Sequence, residues 1–589
     1  MSVFQQLGIE SNPVLERLPK HLLQFVKPQN YDHYTPEDQA VWRYVMRKNV
    51  DYLKTVAHES YLEGLKQCGI SIEEIPSMYG MNRILERIGW AAVAVDGLIP
   101  TPAFLEFQAY NVLVIASDIR TLEDIEYTPV PDIIHESAGH APIIANPEYS
   151  EFLRRLGQIG CRAISSPKDD ILQEAVRSLT ELKTSGKGSK QQILEAERKV
   201  VEMQDKLELS ELTAIKNLHW WSVEYGLIGT PDDYKIYGAG LLSSIGESKW
   251  CLGEEVRKIP YTIETAKQNF DYTRPQPQLF VTPDFAHLSY VIEEYANRMA
   301  LRRGGLEALR KLIESEKLGT LELSTGIQIT GLFSRVITDA RQEVAYFSTS
   351  GQTALAYREK ELIGHGVNNH PDGFGSPVGK LKGINLAIED MYPKDLEAYH
   401  IYEGRKVKLE FVSGLTVEGE VITGIRSLKG KILLIRFRNC LVTFQGEVLF
   451  SPRDGVYDMA VGKEIVSGYA GPADLHSFDL IEHEVNQDLP TQAPDDVTKK
   501  RYHYYEMIRD CRINSKAVHE VEAMLNRLCD QAFDDWLLLL EAWELANQYQ
   551  LGSIAEILHR RLDTRCEAHP EACHLIREGL AFSQVSIDS

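Results

Sequence analysis

The stretch Pro131-Asp132-Ile133-Ile134-His135-Glu136-Ser137-Ala138-Gly139-His140 sets two histidines five residues apart around a carboxylate, among apolar and small residues. Neutral imidazole is the commonest side-chain ligand for a transition metal, so the pair is a candidate metal site. The spacing differs from the His-Glu-x-x-His of zinc proteases, in which two histidines one turn apart share a helical face. Five residues advance an α-helix by roughly 500° and would point the two rings about 140° apart. A helix that stops near Gly139 can turn His140 back, because glycine accepts the left-handed conformation of a helix end. Two unrelated histidines, one packed and one exposed, are the bland alternative.

A second stretch, His219-Trp220-Trp221-Ser222-Val223-Glu224-Tyr225-Gly226-Leu227, offers one carboxylate in an aromatic and apolar setting, and Tyr237-Gly238-Ala239-Gly240-Leu241-Leu242-Ser243-Ser244 comes after it. Glutamate is almost never buried unpaired. An ordinary salt bridge would serve Glu224, and so would a metal held by two histidines. Two histidines and one carboxylate take one face of an octahedron and leave three positions open, which suits oxygen-activating ferrous iron. Zinc is the rival ion for the same ligands.

Together these stretches resemble the iron-binding motifs of the pterin-dependent aromatic amino acid hydroxylases, the phenylalanine, tyrosine and tryptophan hydroxylases. Tyr127-Thr128-Pro129-Val130-Pro131-Asp132 leads into the histidine pair as in that family, and Gly97-Leu98-Ile99-Pro100 with Phe104 resembles its pterin-binding stretch. Arg120 stands fifteen residues before His135, where the family places the arginine that grips the substrate carboxylate. The similarity runs from about Tyr31 to about Arg302.

The resemblance implies Fe(II) on His135, His140 and Glu224, and tetrahydrobiopterin or a related tetrahydropterin at Gly97, Leu98, Ile99, Phe104 and Glu136. It implies an aromatic amino acid bound by Arg120, Thr128, Pro129, Trp220 and Ser243, with O2 as co-substrate, and Ser243 as a support for His135. Phenylalanine is the first expected substrate because Trp220 resembles the phenylalanine and tyrosine hydroxylases more than the tryptophan hydroxylases; tyrosine and tryptophan are the alternatives. Two departures stand out. His219 occupies the place of a usual tyrosine, and Asp271-Tyr272-Thr273-Arg274, where mammalian members differ by substrate, copies none of them closely.

The elements that must position these residues are partly legible. Apolar residues recur at helical spacing from Pro36 to Glu63, as Val41, Tyr44, Val45, Val50, Leu53 and Ala57. Thr35 is a good cap, Pro36 suits the first position, Glu37 and Asp38 suit the first turn, and Gly64 is the expected stop. Another helix is expected near Asn82 to Ile88, with short apolar segments from Trp90 to Leu98 and from Tyr110 to Ile115. Between His140 and Glu224 lie 84 positions, about twice the family's usual separation. The excess reads as an inserted helical hairpin, about 168–210. Its stripes are Ile171, Ala175, Val176, Leu179 and Leu182, then Ile193, Leu194, Val200 and Met203, with a turn at 184–189 between them.

The expected fold class is multidomain α+β. A mainly α-helical hydroxylase-like catalytic domain spans 1–315, a strand-containing segment and linker 316–380, a small β-barrel- or sandwich-like module 381–490, and a C-terminal helical region 498–589. Glycine and proline crowd 368–382, which reads as a linker or long loop. Val407, Leu409 and Phe411 alternate with Lys408 and Glu410, and Gly414, Gly419, Gly424, Gly430 and Gly446 punctuate the rest of that segment. Trp536, Leu537, Leu538, Leu539, Leu540 and Trp543 mark a buried helical centre. Cys566, His569, Cys573 and His574 match no standard zinc spacing and read as packing residues, so the rear half is expected to regulate or assemble.

The chain has 589 residues, 43% hydrophobic and 25% charged, the balance of a soluble globular protein of several domains. Its net charge of −22 opposes nucleic acid or anionic membrane as a main partner. No window reaches 18 uninterrupted apolar residues, and Met1 to Gln6 lack a basic region followed by an apolar core, so neither a transmembrane helix nor a secretory signal is expected. Eight scattered cysteines read as reduced thiols, and the expected compartment is the cytoplasm. Two other classes remain: a zinc hydrolase on the same three ligands, and a catalytically idle amino-acid sensor signalling through the rear half. Iron with oxygen uptake would discriminate against both.

Overall fold

Thr35 opens the longest helix of the front half, Pro36–Val56. Its hydroxyl accepts from the Asp38 amide at 3.1 Å and Asp38 accepts from the Thr35 amide at 2.8 Å, closing a reciprocal cap. The computed structural model describes residues 4, 12–95, 99–126, 131–184, 189–206, 209–270, 275–480, 494–531 and 533–582. The helix stops at Val56, and a separate helix, Ser60–Gln67, comes next. Gly64 is not the stop: a Cβ there would lie 1.9 Å from the Pro142 carbonyl oxygen, so glycine lets this helix approach the backbone just after His140.

That helix packs mainly against the last helices of the chain, and the other front-half elements come after it. Met78–Leu85 precedes the parallel pair Ala91–Val95 and Val112–Ala116, joined by helix Thr101–Ala109. A four-stranded sheet runs in the order Asp233–Ile236, Gly226–Thr230, Gln278–Thr282, Arg257–Pro260. Helices Phe285–Ala296, Ala300–Arg303 and Gly305–Ser315 close this half. Most of its apolar residues form one core with those of the last helices, Tyr505 and Leu537 among them.

The extra residues before Glu224 form helices Pro167–Thr184 and Lys190–Asp205, packed on a small seam of Leu172, Leu179 and Val200. The expected stripe is shifted: Ile171 is 57% and Leu194 65% exposed, because two helices alone bury only a narrow line.

Behind residue 315 two antiparallel sheets share core residues. In the first, Val344–Tyr357, Ile327–Thr338, Leu318–Leu323 and Ile465–Ala470 lie side by side. Gly375–Pro377 pairs with Val344–Tyr357, so the expected linker 368–382 contains a strand; Phe374 and Val378 are buried and anchor it despite its glycines. The second sheet holds Lys406–Glu410, Leu415–Arg426, Ile432–Phe444, Glu447–Phe450 and Tyr457–Ala460, with Val407 and Leu409 inward and Lys408 outward. Leu433, Leu434 and Ala460 of this sheet pack with Phe333, Phe347 and Leu355 of the first. Five helices end the described chain: Asp496–Ile513, Val518–Cys529, Trp536–Gln548, Gly552–Ala568 and Pro570–Phe582. No helix among the described residues is long and apolar enough to cross a membrane.

Candidate metal centre

The two histidines converge by a route that an α-helical wheel misses. Residues His135–His140 form a π-helical turn, and the next amide, Ala141, bonds back five residues to Glu136. A turn closed by i→i+5 bonds places residues five apart on one face. Gly139 is therefore not a left-handed stop. A Cβ on it would lie 2.7 Å from the Ala239 carbonyl oxygen, so glycine admits the short helix Ala239–Ser243 beside the histidine turn. Trp220–Glu224 forms a second π-helical turn, closed by the Tyr225 amide on the Trp220 carbonyl at 2.9 Å, and Glu224 ends it.

His135 Nε2 and His140 Nε2 lie 3.2 Å apart. Glu224 Oε2 is 3.3 Å from the first and Glu224 Oε1 3.3 Å from the second. A metal about 2.1 Å from each donor holds neighbouring donors about 3 Å apart. The three groups therefore fit one ion. Glu136 is the competing carboxylate, but its Oε2 is 3.8 Å from His140 Nε2, so Glu224 is the better third donor.

The surroundings prepare these donors. Ser243 Oγ lies 2.9 Å from His135 Nδ1 and donates its own hydrogen to the Ala239 carbonyl at 2.8 Å. The serine oxygen therefore accepts from Nδ1–H, and Nε2 keeps its lone pair for a metal. Asp132 accepts from the His135 amide at 3.0 Å and pairs with Arg120, whose Nε and Nη2 reach its oxygens at 2.8 and 2.9 Å. Burial opposes charge on Asp132, and the Arg120 guanidinium outweighs it, holding the carboxyl below its ordinary range. Burial likewise disfavours a charged His135, but the hydrogen bond and charge of Glu224 push its pKa up to about 9. Burial also raises Glu224, and the positive charge of the histidines overrides it and holds the carboxyl well below the usual range. Without a metal the site thus stores a proton on His135 against an ionised Glu224, the place a dication would take.

The donors open onto a cavity of about 200 Å³, lined by apolar Val95, Ile99, Phe104 and Phe270 and by Trp220 and Glu136. Trp220 stacks on Phe270 with centroids 4.2 Å apart. Residues 24–177 and 205–304 match the family model of the biopterin-dependent aromatic amino acid hydroxylases. The chain is similar to that family over less than half of its length. The break in the match falls on the hairpin. Phenylalanine-4-hydroxylase of Pseudomonas aeruginosa is 28% identical over 264 residues, which cover 44% of this chain and 84% of that protein. The human phenylalanine-4-hydroxylase is 27% identical over 271 residues, 45% of this chain and 50% of that protein. Among solved structures, phenylalanine hydroxylase from Chromobacterium violaceum with bound iron(III) and 7,8-dihydrobiopterin is 23% identical, covering 51% of this chain and 92% of its own, with a TM-score of 0.38.

In this front half, the expected residues divide between two spaces. Ile99, Phe104, Glu136 and Trp220 line the cavity beside the metal donors. Arg120 and Ser243 line a much smaller one, of about 20 Å³, with Tyr44, Lys48, Asn49 and Leu575. Arg120 is 6% exposed and engaged with Asp132 rather than open to solvent, a partner the sequence spacing does not disclose. Gly97, Leu98, Thr128, Pro129 and the loop 271–274 lie outside the described residues. His219 faces the same cavity as the donors, edge-on to Phe104 at 5.6 Å, and burial pushes its pKa down to about 4. It is thus a neutral imidazole beside the metal donors, where the family pattern leads one to expect a phenol. Cys566 lies against Cys573, but these two with His569 and His574 form no metal-capable group; those among the described residues are His135 with Glu136 and His140, and His365 with His370 and Asp458.

Proposed function

We propose that the chain hydroxylates an aromatic L-amino acid with O2, converting L-phenylalanine to L-tyrosine, using Fe(II) and a tetrahydropterin such as tetrahydrobiopterin. The observation that carries this reading is the convergence of His135, His140 and Glu224 within 3.2–3.3 Å at the wall of an apolar cavity. Two neutral nitrogens and one carboxylate on one side of an ion suit ferrous iron and leave positions for other ligands. The phenylalanine-4-hydroxylases among the relatives favour phenylalanine as the substrate.

His135, His140 and Glu224 would hold the iron, which with the reduced pterin supplies the activation of oxygen. Phe104 and Ile99, in the lining of the cavity, would pack against the flat pterin, and Glu136 would meet its polar edge. Trp220, stiffened by its stack on Phe270, would bound the ring pocket, and the resemblance adds Thr128 and Pro129 to it. Arg120, oriented by Asp132, would offer its remaining donors to the substrate carboxylate. The apolar lining keeps water from the reacting groups.

The test is an aerobic turnover assay on the iron-loaded chain with a tetrahydropterin, offering phenylalanine, tyrosine and tryptophan in parallel. Tyrosine from phenylalanine, lost in Glu224→Ala, is the expected result. No hydroxylated product from any of the three, with iron verified in place, would overturn the reading and favour the sensor.

A further inference from the structure

The rear sheets hold a second gathering of metal-capable side chains, beyond the residues that match the family. His365 and His370, again five residues apart, stand on the irregular stretch between strands Lys360–Glu361 and Gly375–Pro377. The backbone pins them there: the Leu355 amide bonds the His365 carbonyl at 2.8 Å and the Thr353 amide the His370 carbonyl at 3.0 Å. Asp458 comes from strand Tyr457–Ala460 of the other sheet, directly across from Arg436. His365 Nδ1 and His370 Nε2 are 3.2 Å apart, and Asp458 Oδ2 lies 3.7 and 3.9 Å from them. The three residues are 3%, 9% and 8% exposed. We propose that His365, His370 and Asp458 form a second metal site, for a zinc-type divalent ion, which ties the irregular stretch of the first sheet to a strand of the second.

The separations argue for an ion over a purely polar cluster. A zinc about 2.1 Å from each donor sets tetrahedral neighbours about 3.4 Å apart, within the observed spread. A hydrogen bond between the imidazoles accounts for the 3.2 Å contact alone and leaves Asp458 too far from either ring for a hydrogen bond of its own. One ion accounts for all three distances. Burial lowers the pKa of both histidines, His370 to about 4, so both are neutral and ready to ligate.

Arg436 decides the class of ion. Its Nε donates to Asp458 Oδ1 at 2.7 Å and its Nη2 to Oδ2 at 3.0 Å. A carboxylate oxygen has two lone pairs, so Oδ2 keeps one while Arg436 fixes its orientation. The guanidinium also offsets the carboxylate charge. Calcium and magnesium, which need several charged or carbonyl oxygens, are therefore poor occupants, and an ion that binds neutral imidazole is favoured. Because the residues around His365 and His370 form neither helix nor strand, a cross-link between them and the neighbouring sheet would stabilise the fold directly.

The experiment uses the full chain, stripped with a chelator, reloaded with Zn(II), desalted and counted by elemental mass spectrometry. The expected count is two zinc ions per wild-type chain, one in His140→Ala, one in His370→Gln and none in the double variant. Zinc is further expected to raise the melting temperature of His140→Ala but not of His140→Ala/His370→Gln. His365→Gln carries the same expectations, so poor folding of one variant leaves the other to decide. No ion in a folded His140→Ala chain, or two in a folded His370→Gln or His365→Gln variant, overturns the proposal.

Discussion

Ser243 Oγ lies 2.9 Å from His135 Nδ1, and because its hydrogen goes to the Ala239 carbonyl it can only accept from that ring. The serine thus selects the tautomer that leaves Nε2 free for a metal. Removing such an outer partner costs about 10–100-fold in metal affinity. Ser243→Ala is expected to weaken Fe(II) binding by that order, read by competition against a graded chelator, with the melting temperature of the metal-free chain little changed. Unaltered affinity would show that the hydroxyl does not position the ring.

Metal loading is expected to release protons. The folded, metal-free His135 has its pKa raised to about 9, above the ordinary imidazole value, so it carries a proton at pH 8 that a metal must displace. Affinity therefore rises with pH until about 9 and then levels. Titrating Zn(II) into weakly buffered protein at pH 8 should release close to one proton per ion bound at His135. Replacing Glu224 by Gln removes the group that raises this pKa and should reduce the release.

Gly139 is expected to tolerate no side chain. Its missing Cβ leaves room for the Ala239 carbonyl, which a methyl group would meet at 2.7 Å, with the Ala239 Cβ at 3.1 Å. Both neighbours belong to a buried helix that also carries Ser243, so the strain passes to His135. Gly139→Ala should destabilise by about 1–3 kcal/mol, as overpacked cores do, and lose metal affinity as well. Thermal melts with and without Fe(II) would separate the two effects.

The metal centre is legible in the sequence by residue type more than by geometry. Types make His135, His140 and Glu224 candidates, each with an inert alternative, and it is the resemblance that joins them into one ligand set. The arrangement that unites them is hidden, since a π-helical turn has the composition of an α-helix and the 3.6-residue wheel sends the two rings apart. Glycines mislead for a related reason: Gly64 and Gly139 look like helix ends, yet each is needed for close backbone approach by a distant segment. Asp132 stands in the same motif as the histidines, but its pairing with Arg120, twelve positions earlier, leaves no periodic trace. His365 and His370 repeat the spacing of the first pair, yet Gly364, Gly366 and the later glycines and prolines give their surroundings the look of a plain loop.

The rear helices are held to the front half by charge as well as apolar contact. Arg43 of helix Pro36–Val56 reaches Glu541 at 2.7 Å and Glu544 at 2.6 Å on helix Trp536–Gln548, and Arg47 and Arg512 complete the cluster. Glu541 is buried, and burial alone would raise its pKa; Arg43 and Arg512 instead hold it below the ordinary value. Removing one partner of a buried pair leaves an uncompensated charge and costs about 3–5 kcal/mol. Arg43→Ala should lower stability by that order in denaturant titration, whereas Lys54→Ala, which loses only an exposed pair with Asp51, should leave it unchanged.

Glu37, on the same helix as Arg43 and nearer its start, gives this contact a pH dependence. Burial, then the nearby Asp535, raises its pKa to about 7, against the opposing pull of Arg501 at 2.8 Å. Because the folded chain holds this proton more tightly than the unfolded chain, the group's stabilising share is fully present below its ordinary pKa of 4.5 and is lost as pH rises through about 7. Above pH 7 the helix carries a half-buried carboxylate at a net cost, and Asp535, raised in the same direction mainly by burial, adds to the slope. Glu37→Gln removes the titration while keeping the shape. The variant should therefore show a flatter fall in melting temperature between pH 5 and 8 and a higher melting temperature than wild type at pH 8. An equal slope in both proteins would mean that Glu37 is ionised throughout and that the Arg501 pair, not burial, governs its charge.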